Sequence, residues 1–280
     1  MVKEAAARVW RGSRRAGRDL VDGLFPHHCA LCDRLSHRSL ALCEECEGLL
    51  TFNLRGCQRC ALPDTPPGGP PCPACRGGLA FDRVLAPLSY DATLAGLVGR
   101  WKYRRELALT ALFADLWRRH APAPERPDRV LPVPLHWRRL CWRGFNQGER
   151  LATALVRVHP ALDAVPVDRR LLRRHRPTGN QAALGQRARR ANVAGAFTPR
   201  GPCDNLHLAV VDDVCTTGAT ADAAATAAQR HWRERIALAC RQDRSGEPQR
   251  NPATPYPTVE VRLLIRTDGF RIRNHHHGYI

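Results

Sequence analysis

The chain has 280 residues and a formal net charge of +18, from 44 basic side chains against 26 acidic ones. Apolar residues make up 44% of it, enough for a packed core, which excludes a wholly disordered chain. Only Lys3 and Lys102 are lysine, so the basic charge is almost all arginine, and 22 prolines and 21 glycines without a fixed period exclude collagen-like and solenoid folds.

Residues 1–24 carry Arg8, Arg11, Arg14, Arg15 and Arg18 and no continuous apolar run. They predict a basic amphipathic helix, with Val9, Trp10, Val21, Leu24 and Phe25 toward its apolar side. Packing on the chain's own surface accounts for such a helix; a membrane surface or nucleic acid is the alternative contact. The segment lacks the apolar centre of a secretory signal, and no stretch approaches the roughly 18 apolar residues of a transmembrane helix. The expected location is the cytoplasm.

Eight of the 12 cysteines then form four C-x-x-C pairs: Cys29/Cys32, Cys43/Cys46, Cys57/Cys60 and Cys72/Cys75, separated by 10, 10 and 11 residues. Two intervening residues let a tight turn aim both thiolates at one ion, and two such knuckles complete a tetrahedral site. Four knuckles therefore supply the ligands of two zinc ions. Pairing in chain order gives Cys29, Cys32, Cys43 and Cys46 to one ion and Cys57, Cys60, Cys72 and Cys75 to the other; an interleaved pairing fits the same spacing. A disulfide framework is the competing reading, which a reducing cytosol disfavours. All-thiolate sites leave no position for a reactive water, so both zinc ions are expected to be structural. A lobe this small has little core, so metal binding is expected to contribute most of its folding energy. Cys141, Cys203, Cys215 and Cys240 are scattered and read as packing residues.

After Gly78 the texture becomes that of an α/β domain. Phe81–Tyr90 predicts a strand, Leu94–His120 has helical apolar spacing, and Arg129–Leu135 predicts a short strand opening into a basic loop. Gln147–His159 predicts a helix, His207–Val214 a buried strand, Ala219–Trp232 an alanine-rich helix and Arg235–Cys240 another strand. This alternation predicts a parallel sheet with helices on both faces over 81–243, behind a cysteine-rich lobe at 25–80. Residues 244–280 read as an extension without an assigned role. Within it Val259–Arg273 has the pattern of a hairpin around Thr267-Asp268-Gly269, and His275–His277 reads as tail.

The most specific segment is Val210–Thr220, VVDDVCTTGAT. An apolar strand ends in two acids, and a Thr/Gly loop then opens a helix. Gly218 lets the backbone approach an anion, Thr216, Thr217 and Thr220 supply hydroxyl donors, and the free N–H groups from Ala219 onward favour a monophosphate. Asp212 and Asp213 are suited to accept hydrogen bonds from ribose hydroxyls, or to hold Mg²⁺ directly or through water. The loop lacks the lysine of a Walker A motif, and no GxGxxG follows a strand, so neither an NTPase nor a dinucleotide site is supported.

Ahead of this loop, residues 137–190 hold 13 arginines against Glu149, Asp163 and Asp168, more than half of the net charge. Trp137, Trp142 and Phe145 are interleaved at its start. Arginine forks suit phosphates, and exposed rings stack the bases of a single strand. Arg138, Arg139 and Trp142 are the nucleic-acid candidates, with a solvated arginine-rich face as the plainer alternative.

The acids and the T-T-G-A-T loop resemble the phosphoribosyl-diphosphate (PRPP) signature of type I phosphoribosyltransferases. The R-G-F-N-Q run at 143–147, the segment Gln181–Phe197, Trp101-Lys102-Tyr103 and the C-x-x-C-rich front together resemble the ComF-type competence protein family, over roughly residues 25–242. The resemblance implies a phosphoribosyltransferase-like domain behind a double zinc ribbon. It implies PRPP with Mg²⁺ bound by Asp212, Asp213, Thr216, Thr217, Gly218, Ala219 and Thr220, with Arg143, Asn146 and Gln147 on the pyrophosphate side. It also implies a role in natural transformation: handling incoming single-stranded DNA at the cytoplasmic side of the inner membrane, with the uptake helicase or recombination proteins as partners. The alternative is an active phosphoribosyltransferase on an unknown acceptor, without a DNA role. Purine-salvage members of the fold often carry an acid two residues before the loop glycine; this chain has Thr216 there, which puts base-directed proton abstraction in doubt.

Overall fold

A computed structural model of the chain describes residues 27–63, 65, 72, 75, 78–177, 186–201, 203, 206–229 and 258–266. In chain order its elements are α1 (Glu44–Gly48), β1 (Arg83–Leu85), β2 (Leu88–Ser89), α2 (Ala92–Tyr103), α3 (Leu109–His120), β3 (Arg129–Pro132), α4 (Trp137–Arg143) and α5 (Gln147–Val158). There follow a single 3-10 turn at Pro160–Leu162, β4 (Leu172–Arg174), α6 (Gln186–Val193), β5 (Phe197–Pro199), β6 (His207–Cys215), α7 over 219–229 and β7 (Thr258–Arg266). The predicted segments 1–24 and Arg235–Cys240, together with Gln181, Leu184 and His275–His277, lie outside the described residues.

Local chemistry explains where the elements stop. The strand expected over Phe81–Tyr90 is two short strands broken at Ala86-Pro87, because proline has no N–H for the ladder. Helix α2 starts where Asp91 Oδ1 accepts the Leu94 N–H at 2.8 Å, a side-chain N-cap. The helical stretch 94–120 is two helices. Arg105 between them has φ +57°, and the Arg100 guanidinium reaches the Glu106 carboxylate at 2.6–2.9 Å across that turn. The expected basic loop after β3 is instead helical, forming α4, and Gly144 ends it in the left-handed region at φ +82°.

Five strands form one parallel sheet in the order β1-β7-β6-β3, with β2 also on β7. A separate antiparallel ribbon pairs β4 with β5. β7 comes from the segment read as an extension. It has no antiparallel hairpin partner among the described residues; it lies parallel between β1 and β6, in register from His207↔Thr258 to Cys215↔Arg266. Its sequence, TVEVRLLIR, is rich in the residues that suit an interior parallel strand.

The alternation along β6 sorts the helices. Ala209 and Val211 join a core with Leu97, Phe113, Leu151 and Leu155 of α2, α3 and α5. Val210 packs instead with Ala221 and Ala224 of α7, and Leu208 with Ala228. Helices therefore cover both faces. Helix α5 comes very close to β6: a Cβ added at Gly148 would stand 3.0 Å from the Val211 carbonyl oxygen, so only glycine fits without displacement. Helices α5 and α7 lie on opposite faces of β6, and its carboxyl end is the edge at which ligands of open parallel sheets bind.

The cysteine-rich segment straddles the same sheet. Cys29, Leu40, Leu42, Cys46 and Leu50 belong to the core on the α2–α3–α5 face. Cys60, Ala61 and Cys72 join Phe81 and the alanines of α7 on the other. Between them the chain runs along β1 and β2: the Val84 N–H donates to Arg59 O at 2.8 Å and the Ser89 N–H to Thr51 O at 2.9 Å, which covers the sheet edge. The segment thus shares both cores of the domain, and apolar packing adds to what metal contributes.

Candidate functional site

Two constellations stand out, the cysteine clusters and the loop after β6. The sulfurs of Cys29, Cys32, Cys43 and Cys46 lie within 4.8 Å of one another, as do those of Cys57, Cys60, Cys72 and Cys75. The grouping is the one in chain order. One turn is used twice. The N–H of the leading cysteine donates to the carbonyl five residues on, Cys29 to Arg34 at 2.7 Å and Cys57 to Leu62 at 2.8 Å. The residue after the second cysteine has positive φ in each, Asp33 at 61° and Ala61 at 54°. Its N–H returns to the leading cysteine's carbonyl at 2.9 and 2.8 Å.

The fit to zinc is testable on the sulfurs. Four thiolates about 2.3 Å from one tetrahedral ion stand about 3.8 Å apart. Cys32–Cys43 and Cys57–Cys75 are each 3.8 Å apart, and Cys60–Cys72 3.4 Å. Burial raises the Cys29 thiol, but the backbone N–H groups of Cys32, Cys43 and Leu31 outweigh it and hold it at about 6. Burial likewise opposes Cys57, which the N–H groups of Cys60 and Arg59 hold at about 7. Cys46 and Cys75 are pushed up by burial and by the sulfurs beside them, Cys75 to about 11. Each cluster has thiolates aimed at one point and needs a cation to hold all four ionised. Both are zinc sites of four cysteines each without an open position, hence structural.

At the other constellation, β6 carries Asp212 and Asp213 to the sheet's carboxyl edge, and Thr216–Gly218 turns into α7. Gly218 has φ +76°, in the left-handed region that favours glycine. Thr217 Oγ1 accepts the Ala219 N–H at 3.3 Å, a cap at the helix start. The acids are braced by backbone: Asp212 Oδ1 accepts the Asp213 N–H at 2.9 Å and Asp213 Oδ1 the Val214 N–H at 2.7 Å.

Around the acids gather cations from other elements. Lys102 Nζ lies 2.5 Å from Asp213 Oδ2. Arg143, at the end of α4, is buried with its Nε unpartnered, and its guanidinium lies within the field of Asp213 and 5.5 Å over the Tyr103 ring. Arg174 of β4 is within the field of Asp212, and Arg139 acts on both Arg143 and Arg174. Burial lowers both Arg143 and Arg174, and burial with the Arg138, Arg174 and Arg139 charges lowers His136. Burial and the Asp213 carboxylate push Asp212 up, whereas Lys102 overcomes the burial of Asp213 and holds it below the usual carboxylate range.

The sequence candidates thus separate. Arg143 joins Asp213. Asn146 and Gln147 open α5 beside β6; Asn146 Nδ2 donates to Val133 O at 3.0 Å, and Gln147, 2% exposed, has Nε2 unpartnered. Arg138 and Trp142 lie exposed on α4, while Arg139 faces the arginine cluster. Cys203 and Cys215 are buried as expected of packing residues; Cys141 is exposed. Sequence reading gave no site role to Lys102, Tyr103 or Arg174. A signal existed for Lys102, one of two lysines in an otherwise arginine-only basic set.

Comparison with known proteins follows the same division. Residues 20–76 match the family model of the double zinc ribbon domain, which defines the class of the front segment. The chain is 32% identical over 200 residues to the DNA utilization protein YhgH of Escherichia coli (strain K12), covering 69% of this chain and 79% of that one, and equally to that of Shigella flexneri. It is 26% identical over 201 residues to competence protein F of Haemophilus influenzae, covering 69% and 80%. The chain belongs to the family of these DNA-utilization and competence proteins, the ComF-type family.

Proposed function

We propose that this chain binds PRPP, or a related sugar phosphate, in a phosphoribosyltransferase-type domain and handles incoming single-stranded DNA in the cytoplasm. The observation that carries the first part is the Asp212-Asp213 pair and Thr216–Thr220 loop at the carboxyl end of an interior parallel strand, faced by the buried Arg143. In this reading the N–H groups at the start of α7 and the threonine hydroxyls hold the 5-phosphate. Asp212 and Asp213 orient the ribose, and Arg143, Asn146 and Gln147 hold the pyrophosphate, which brings its Mg²⁺ with it. The unpartnered Arg143 Nε and Gln147 Nε2 are buried donors that such an anion satisfies.

The second part is supported by relatives named for DNA utilization and competence, and by the exposed Trp137, Trp142 and Tyr103 beside Arg138 and Arg143. The uptake helicase and recombination proteins are the partners this role implies, and no described helix is long and apolar enough to cross a membrane. Phosphoribosyl transfer to an acceptor is the second reading, favoured by Asp212, whose raised pKa suits proton exchange near neutral pH.

Calorimetric titration of Mg²⁺-PRPP tests the cradle: the wild type binds and the Asp212→Ala/Asp213→Ala double variant does not. Equal binding by both removes these residues from the site. Pyrophosphate release on adding candidate acceptors separates transfer from binding alone.

A further inference from the structure

The acid pair at the end of β6 is where a divalent ion of a sugar-phosphate site would be sought, and its oxygens are already engaged. Asp213 Oδ2 faces Lys102 Nζ at 2.5 Å, with both side chains largely buried at 14% and 16% exposed. Asp213 Oδ1 accepts the Val214 N–H and Asp212 Oδ1 the Asp213 N–H. A hard divalent ion needs several free oxygens around it. Here a lysine and two backbone donors each engage one of the four carboxylate oxygens, and the lysine charge stands beside Asp213 where an ion's charge would be needed.

The surrounding charge points the same way. Arg143 and Arg174 lie within the fields of Asp213 and Asp212, and Arg139 stands close to both arginines. With Lys102, three cations act on the two carboxylates, and Arg139 adds positive charge beside two of them. A divalent ion entering there meets repulsion, whereas a phosphate dianion meets attraction.

The placement of Lys102 follows from its neighbours. Trp101 is fully buried and donates from Nε1 to Thr110 Oγ1 at 3.0 Å, which pins the end of α2 against α3. The next residue then turns to β6, and Tyr103 turns outward, 64% exposed.

We propose that Lys102 is the resident counter-ion of the Asp212/Asp213 pair, so that the cradle binds a pentose 5-monophosphate without a divalent cation; this rests on the loop being a sugar-phosphate cradle. Lys102 acts as a positioning residue. It fixes Asp213 and leaves the phosphate to the loop and the arginines. Magnesium then enters only on a ligand that carries its own pyrophosphate.

The test is calorimetry on the full chain with ribose 5-phosphate as probe, in metal-depleted buffer and with added Mg²⁺. Depletion uses a resin on the buffer alone, since a chelator in the sample would strip the cysteine sites. The wild type is expected to bind with the same affinity, within about twofold, in both buffers. Lys102→Met is expected to bind about tenfold more weakly without Mg²⁺ and to recover when it is added, while Lys102→Arg stays indifferent to Mg²⁺. Wild-type binding that requires Mg²⁺ overturns the role of Lys102 and leaves the cradle standing. Absence of binding in both buffers overturns the cradle and the inference together. If Lys102→Met does not fold, judged by melting and zinc content, the wild-type comparison decides.

Discussion

His120 Nε2, at the end of α3, lies 2.9 Å from Oε1 of Glu47 in the helix beside the first zinc site. Arg38 meets the same carboxylate at 2.6 Å, and the Phe52 ring stacks on His120 with centroids 4.0 Å apart. The cysteine-rich segment is thereby tied to the α/β domain through one acid that is only 13% exposed. Burial opposes ionisation of Glu47, but His120 and Arg38 win and hold its pKa below the usual range. Its contribution is thus present above the unfolded glutamate pKa and is lost as pH falls through the folded one. Glu47→Ala is expected to cost about 2–3 kcal/mol at neutral pH, by leaving the partly buried Arg38 guanidinium and the His120 ring nitrogen without their shared partner. Urea unfolding should show that difference narrowing below about pH 4.

Metal content is the next expectation. The two cysteine clusters pack on opposite faces of the sheet, so each should lose its ion independently. The wild type is expected to carry two zinc ions and Cys57→Ser one, measured by elemental analysis of protein purified without chelator. Fewer than one zinc per wild-type chain would remove the structural-zinc assignment.

Asp212 gives a pH dependence of the opposite sign to Glu47. Its folded pKa, pushed up to about 7 by burial and by Asp213, exceeds the unfolded value of about 3.9. Stability from this group is complete below the unfolded pKa and is lost as pH rises through the folded one. Asp212→Asn cannot ionise. Its stability relative to wild type should therefore grow between about pH 4 and 8, and a constant difference across denaturation curves would contradict the shifted carboxyl.

Tyr103 and Trp142 stand 6.1 Å apart, 64% and 65% exposed, with Arg138 on the same short helix as Trp142. Trp142→Ala is expected to weaken single-stranded DNA binding by about 1–3 kcal/mol at all salt concentrations. Arg138→Ala should instead flatten the slope of log affinity against log salt by about one charge. Fluorescence anisotropy over a salt series distinguishes the two; unchanged slopes and affinities would take α4 out of the interface.

What was legible in the sequence is what is local. Cys29/Cys32 and its three repeats announce their geometry within four residues, because a turn of fixed length aims both sulfurs. Asp212 through Thr220 likewise follow one another along a strand, a loop and a helix start. The pairing of Lys102 with Asp213 was not legible, since it depends on how α2 crosses the end of β6. Nor was the place of Thr258–Arg266. Its parallel pairing with β1 and β6 joins segments far apart in the chain, which no local pattern announces. The α4 helix was missed because arginines and a following glycine read as a loop, whereas the turn is set by His136 and Gly144 at its ends.

The position of β7 bears on how the chain is made. Of the described strands it is the last to leave the ribosome, yet it fills the slot between β1 and β6. Until it arrives, those two strands have no partner among the described strands for the edges that will face it, and their unpaired N–H and C=O groups can template association with another nascent chain. A premature stop after α7 would make that transient state permanent, yielding a product with both zinc ribbons in place and a sheet split through its middle.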